Sequence, residues 1–352
     1  MDKKELLKRV GCIDQLAGIR RLTYTSGRRD GIRAYEVYNK AGLHFNVMES
    51  RCLDIFNLWY KGVPLGFVSK PGMVAAPYAD LHGVNFLRSA GAGMLYTCGL
   101  TNAGNAFSEE GTDDIFHGRI RFIAPENCGS WEGWEDNDYK LKIFGEMRDA
   151  RLFGEHLTLT REITTSLGSK TIKILDTVEN RGFEEQEFMI LYHLNCGYPI
   201  VDKGCKIFIP SKDCLSMNPA SEKLKDKWNE VTDPVDGSPE NVFTHSLFHN
   251  REGHVYAGLY NENQKLGVSF SFNYDALDYI VEWKSMMSGD YVLGFLAANN
   301  HGAGRAYERA NGSIKKIKPF EKVTAEINIT VIDGETEFAD FNSKFAECRS
   351  PV

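Results

Sequence analysis

The sequence has no stretch approaching the roughly 20 apolar residues that cross a bilayer, and its charged opening, MDKKELLKRV, has no apolar run of signal-peptide length. No membrane span is therefore expected, and a cytoplasmic location is. An excess of positive charge is missing too. Against 48 Asp and Glu stand 41 Lys and Arg, a formal charge of -7, and the basic residues are scattered. Such a surface has no field for nucleic-acid phosphates or anionic lipid, so neither is an expected partner. Cysteines at metal or redox spacing are absent. The eight at 12, 52, 98, 128, 196, 205, 214 and 348 form no CxxC, and several lie in apolar runs such as LYTCGL and LYHLNCGYP. They read as buried small hydrophobes in a reducing compartment, with neither disulfide nor zinc. Internal repeats, low-complexity tracts and linkers are likewise missing. Gly91, Gly93, Gly99 and Gly104 sit in no strand-GxGxxG-helix unit, which excludes a dinucleotide fingerprint, and no cofactor is expected.

What the 352 residues do contain is strand texture, with 42% hydrophobic residues to supply a core. Short runs rich in aromatic and β-branched residues, RAYEVYN, LHFNVME, DIFNLWY, HLTLTREITTSL, KTIKILDTVEN, EFMILYHLN, LGVSFSFN and VTAEINITVID, are separated by Gly, Asn, Asp and Lys turns. Strands in succession without intervening helices predict an all-β antiparallel sandwich rather than a doubly wound α/β fold. One short helix is expected near residues 2–9, SEKLKDKWNEV reads as a helix or structured excursion, and 70–94 and 101–115 read as long loops. Loops of that length in a compact domain are usually functional.

Among nine histidines, two stand at strand ends next to glycine or polar residues. His117 lies in DDIFHGRIRF with Arg119 beside it. His193 lies in FMILYHLNCGYP, and alternation puts it on one face with Asn195. Arg51 and Asp54 precede the run IFNLWY, and NFLRSAGAGMLYTCGLTNAG supplies Arg88 and Asn102. SPENVFTH offers Glu240 and His245, while VEWKSM offers Glu282, Trp283 and Lys284. Trp283 suits the apolar face of a sugar ring, and carboxylates, amides and Arg suit its hydroxyls.

In order, the blocks SRCLDI, FLRSAGAGMLYTCGLTNAG, FHGRIRFIAPE, LYHLNCGYP, SPENVFTH, VEWKSM and YVLGFLAANNHGAGR resemble a branch of the aldose 1-epimerase (galactose mutarotase-like) superfamily labelled DUF4432, over roughly residues 15–335. The resemblance implies an antiparallel β supersandwich over 15–335. A short N-terminal helical extension (1–14) would precede it and a C-terminal tail (336–352) follow. It further implies a cleft for a free or modified monosaccharide, with no metal and, beyond the carbohydrate, at most a second copy of the chain in a homodimer. In such chemistry a carboxylate takes the anomeric hydroxyl proton while an imidazolium protonates the ring oxygen. The resemblance casts His193 as that acid and His117 as a group polarising sugar oxygens. Arg51, Asp54, Arg88, Asn102, Arg119, Asn195, Glu240, His245, Trp283, Lys284 and Arg305 would bind the sugar. Where relatives carry a carboxylate this chain has Leu296, so Glu282, on the neighbouring strand, is the expected substitute base. Three readings follow: an aldose 1-epimerase-like isomerase, an epimerase or lyase of a keto-sugar on the same scaffold, and a non-catalytic sugar-binding protein.

Overall fold

A computed structural model describes residues 3–109 and 112–349. Residues 1 and 2 of the expected extension, 110 and 111 of the expected loop, and 350–352 of the expected tail lie outside the described residues. The architecture is the expected all-β one, with every strand pairing antiparallel. A five-stranded meander runs from Gly18–Thr23 to Val63–Pro64. An eight-stranded sheet has Lys322–Asp333 and Thr171–Asn180 at its centre. A seven-stranded sheet is built around Gln186–Cys196.

The sequence periods account for these layers. Thr171–Asn180 alternates between buried and accessible residues along most of its length, as a strand with one wet face must, whereas Asp290–Ala298 is buried on both faces in its second half. Phe270 of the eight-stranded sheet packs on Phe295 of the seven-stranded one at 5.3 Å between ring centroids. The side of the seven-stranded sheet that carries Phe295 is thus the interior of the sandwich, and the side that carries Leu296 is its outer face.

Ion pairs as well as apolar contacts tie the layers. Arg161, fully buried, donates to Asp176 at 2.9 and 2.7 Å and to Asp54 at 3.1 Å. Asp54 also accepts from the Thr97 hydroxyl at 2.6 Å, and the Tyr192 hydroxyl donates to Asp176 at 2.8 Å. These residues come from all three sheets, so the cluster fixes how the strands bearing Thr97 and Tyr192 lie against the rest. All eight cysteines are free thiols.

The expected helical pieces are present as Lys3–Leu7 and as the pair Pro219–Glu222 and Lys225–Lys227. Within 101–115 the chain forms a small hairpin, Phe107–Glu109 with Thr112–Asp114, rather than an unstructured loop. Past residue 335 it forms the helix Glu335–Glu347, whose Phe338, Phe341 and Phe345 close around Phe208 at 5.6, 5.4 and 5.3 Å. No helix among the described residues is long and apolar enough to cross a membrane.

Candidate active site

The site is assembled on the outer face of the seven-stranded sheet. Tyr96 stands opposite His193, His193 opposite Leu296, and Leu296 opposite Val281. Residues directly opposed in an antiparallel pair share a face, so these four side chains form one row. Asn195 and Trp283 stand two positions along, on either side of Gly294. A Cβ on Gly294 would lie 2.8 Å from Leu296 Cδ1 and 3.2 Å from Asn195 Oδ1, so a larger residue there would crowd the row.

The loop after Leu95–Leu100 brings His117 over this row. His117 has φ +62° and Gly118 +73°, and a Cβ on Gly118 would fall 2.2 Å from the Gly99 carbonyl. The close approach requires glycine and aims the imidazole back at the sheet. The His117 and His193 rings end 5.9 Å apart and nearly perpendicular at 88°. Trp283 lies 5.2 Å and Tyr96 6.1 Å from His193, while Phe116 and Phe86 flank His117 at 4.2 and 6.2 Å. His117, His193 and Trp283 thus share one surface, each partly accessible.

Hydrogen bonding assigns the two imidazoles opposite roles. The Asn195 amide donates through Nδ2 to the carbonyls of Gly93 (2.9 Å) and His193 (3.1 Å), which turns its Oδ1 toward His193 Nδ1 at 2.5 Å. An acceptor there places a proton on Nδ1 and leaves the Nε2 lone pair of His193 free. At His117 the pattern is reversed, because Nδ1 accepts from the Gly104 N–H at 3.1 Å and the proton resides on Nε2. Burial lowers both above all, and the charge of Arg121 adds to it. His193 falls to about 4, and His117, further opposed by His193, sits well below its ordinary value. Both are therefore neutral at pH 7, one presenting a base and the other a donor. The expected imidazolium at His193 is corrected to a neutral ring for this reason.

Arg121 is the residue that sequence reasoning missed. FHGRIRF contains two arginines, and only the turn Ile120–Phe122 decides that the second is buried. Its guanidinium is fully buried between Phe86, Tyr96 and Phe122 at 4.2, 5.3 and 4.8 Å from the ring centroids, and Nε, Nη1 and Nη2 all lack a hydrogen-bond partner. Cation–π contacts contribute about 0.5–2 kcal/mol each, whereas an uncompensated buried ion carries a penalty of several kcal/mol. The rings alone do not satisfy this group. Arg51 lies on the same Phe122 ring at 5.0 Å, bonded to the Val74 carbonyl at 3.4 Å through Nη1 and with Nη2 free of partners; the Tyr96 hydroxyl is also unpartnered.

The remaining expected site residues divide. Glu240 accepts from Trp283 Nε1 at 2.8 Å and so fixes the indole beside His193. Arg88 is exposed at the end of the turn Gly83–Arg88. Arg119 and Arg305 both pair with buried Asp114, at 2.6 and 3.1 Å, and Arg305 Nε donates to the Thr101 carbonyl at 2.9 Å. Asn102 donates to the carbonyls of Asn105 (2.8 Å) and Ile115 (3.1 Å) and accepts from Arg305 N. These three brace the His117 loop instead of facing a ligand. Asp54 is corrected from sugar ligand to member of the core ion cluster.

Glu282 is corrected as well. It is paired with Phe295, so it faces the interior, opposite to His193, and is fully buried. There His245 Nε2 stands 3.4 Å and Lys284 Nζ 3.7 Å from it, and Lys284 is held by the carbonyls of Lys227, Trp228 and Glu230. Glu282, His245 and Lys284 form a separate network that the sheet divides from the histidine pair. A one-residue step in register reverses a side chain's face, and sequence alone left that register open.

The family profile described as Domain of unknown function (DUF4432) matches residues 29–331. No curated protein matches the chain. Among solved structures, a Klebsiella pneumoniae protein provisionally named an aldose 1-epimerase superposes with a TM-score of 0.89 at 19% identity, over 96% of this chain and 91% of that one. A galactose mutarotase-like protein from Clostridium acetobutylicum gives 0.60 at 14% identity over 91% and 99% of the two chains. The galactose 1-epimerase of Lactobacillus acidophilus gives 0.58 at 11% identity over 91% and 100%. Identities this low carry the fold and not the activity. The chain belongs to the DUF4432 family and has the galactose mutarotase-like fold.

Proposed function

We propose that the protein is a carbohydrate isomerase of the aldose 1-epimerase type, acting on a monosaccharide by proton transfer between His193 and His117. The complementary protonation of the two perpendicular imidazoles beside Trp283 carries this reading. His193 Nε2 takes the proton of the anomeric hydroxyl as C1–O1 becomes a carbonyl. The C1–O5 bond breaks, and O5 receives the proton of His117 Nε2. After rotation about C1–C2, O5 attacks the other face of C1, returning its proton to His117 while O1 recovers one from His193. Both rings end as they began. A neutral imidazole acting as donor is an established enzymatic device, and burial of His117 favours the neutral ring over a protonated one. Trp283, steadied by Glu240, supplies the platform for the sugar's apolar face.

Neutral His193 also fits the abstraction of a proton from carbon next to a carbonyl, the first step of keto-sugar epimerisation, because its free lone pair carries no charge to desolvate. Mutarotation and hydrogen exchange followed by NMR across common aldoses and keto-sugars in heavy water test both. Interconversion of anomers without deuterium at carbon supports the proposal, whereas deuterium at C2 supports the second reading. Absence of either reaction, with sugars still bound, refutes both.

A further inference from the structure

We propose that Arg121 is the recognition site for an oxyanion substituent of the substrate, so that the sugar handled here is an acidic one bearing a carboxylate or a phosphate. The inference rests on the carbohydrate reading above and deepens it. Its basis is a guanidinium that is fully buried and has none of its three nitrogens hydrogen-bonded, the Asp54 carboxylate acting on it only at longer range. Arginine does not escape burial by giving up its proton, and the group it fits is a planar or tetrahedral oxyanion that accepts two of its N–H bonds at once.

Its position says that the anion belongs to the same ligand as the reacting carbon. Phe86 touches both Arg121 and His117, and Tyr96 touches both Arg121 and His193. Two further unpartnered donors, Arg51 Nη2 and the Tyr96 hydroxyl, stand in the same aromatic cluster. An oxyanion would give these donors charge-assisted bonds where aromatic faces alone now meet Arg121. Phe86, which lies against Arg121, is the one buried residue of the otherwise exposed turn Gly83–Arg88, so this turn has to move for the acidic end to enter.

Calorimetry at fixed ionic strength tests the assignment with galactose, galacturonate and galactose 6-phosphate, and with inorganic phosphate as control, on the full chain and on Arg121→Met and Arg121→Lys. One acidic sugar is expected to bind roughly tenfold or more tighter than galactose. Arg121→Met should erase that difference while sparing galactose, with Arg121→Lys in between. Which acid responds identifies the oxyanion, and tight binding of inorganic phosphate alone overturns the sugar assignment. Because Met fits the aromatic surroundings, the free Arg121→Met protein should melt at or above the parent temperature. Three results overturn the proposal: equal binding of neutral and acidic sugars or none of either, a variant that melts well below the parent, or a variant that loses turnover of neutral sugars to the same extent. Arg121-dependent binding of an acid without turnover would keep this inference and remove the isomerase reading. Turnover and binding of acidic sugars that are indifferent to Arg121 would do the reverse.

Discussion

At the scale of single residues, His193 is the proposed base, since Asn195 Oδ1 faces its Nδ1 and burial keeps the ring neutral. With His193 lowered to about 4, kcat/KM is expected to stay level from pH 8 to about pH 5 and to fall only toward the lowered value. A catalytic imidazolium with the ordinary value near 6.5 would instead gain rate as pH drops through that point. A pH–rate profile separates the two. His193→Asn should lower turnover by about 10²–10⁴ with sugar affinity nearly unchanged. Leu296 is buried in the same row, opposite His193. Leu296→Glu places a carboxylate there, and it should raise mutarotation of neutral aldoses relative to the native chain while lowering the melting temperature, since a buried charge is costly. Polarimetry and thermal unfolding of that one variant check both halves.

At the scale of elements, the loop from Leu100 to Phe122 is what brings His117 to the sheet, and Asp114 is its fastening. This carboxylate accepts from the Thr101 hydroxyl at 2.9 Å and pairs with Arg119 and Arg305; both also donate to backbone carbonyls, and Arg305 pairs with Glu187 at 3.5 Å as well. Asp114→Ala removes the carboxylate shared by Arg119, which solvent still reaches, and Arg305, which keeps Glu187 at 3.5 Å, and should destabilise the protein by about 1–2 kcal/mol, with a fall in turnover that exceeds any change in sugar affinity because His117 loses its aim. Denaturant unfolding gives the first, and steady-state kinetics the second. A variant that unfolds like the parent would show that the loop is held by its glycines alone.

At the scale of the whole molecule, the neutral histidines couple folding to pH. His193 in the folded state titrates near 4 and in the unfolded chain near 6.5, so the unfolded state takes up protons first. The stability present above about pH 6.5 is then lost as pH falls toward 4, and below that both states are protonated and the loss levels off. The change amounts to about 3 kcal/mol at most for this one group. Guanidinium-chloride midpoints measured from pH 7 to pH 4 should show it, and His193→Asn should flatten the curve. The interior network behaves differently. Glu282→Gln, on the far side of the sheet from His193, is expected to shift the melting temperature while leaving kcat/KM within about threefold, as for a residue with no path to the reacting atoms.

Period-2 alternation and turn residues made the all-β antiparallel fold legible, since burial of one strand face imposes that pattern whatever the partner strands are. The same local chemistry marked His117, His193, Asn195 and Trp283, polar or aromatic groups interrupting apolar strands, and these four do come together. Sequence could not say which face of Tyr279–Met287 meets His193, because a strand's register is set by its hydrogen-bonded neighbours, and pairing with Phe295 sent Glu282 inward. Nor could it separate Arg119 from Arg121, two residues apart in one loop. Only the packing of Asp114 against the first, and of Phe86, Tyr96 and Phe122 around the second, makes one a brace and leaves the other a buried charge without a partner. Local pattern determined what the elements are. Long-range packing decided which ionisable groups are neutralised, and by which neighbours, because desolvation and pairing depend on distances that sequence separation does not encode.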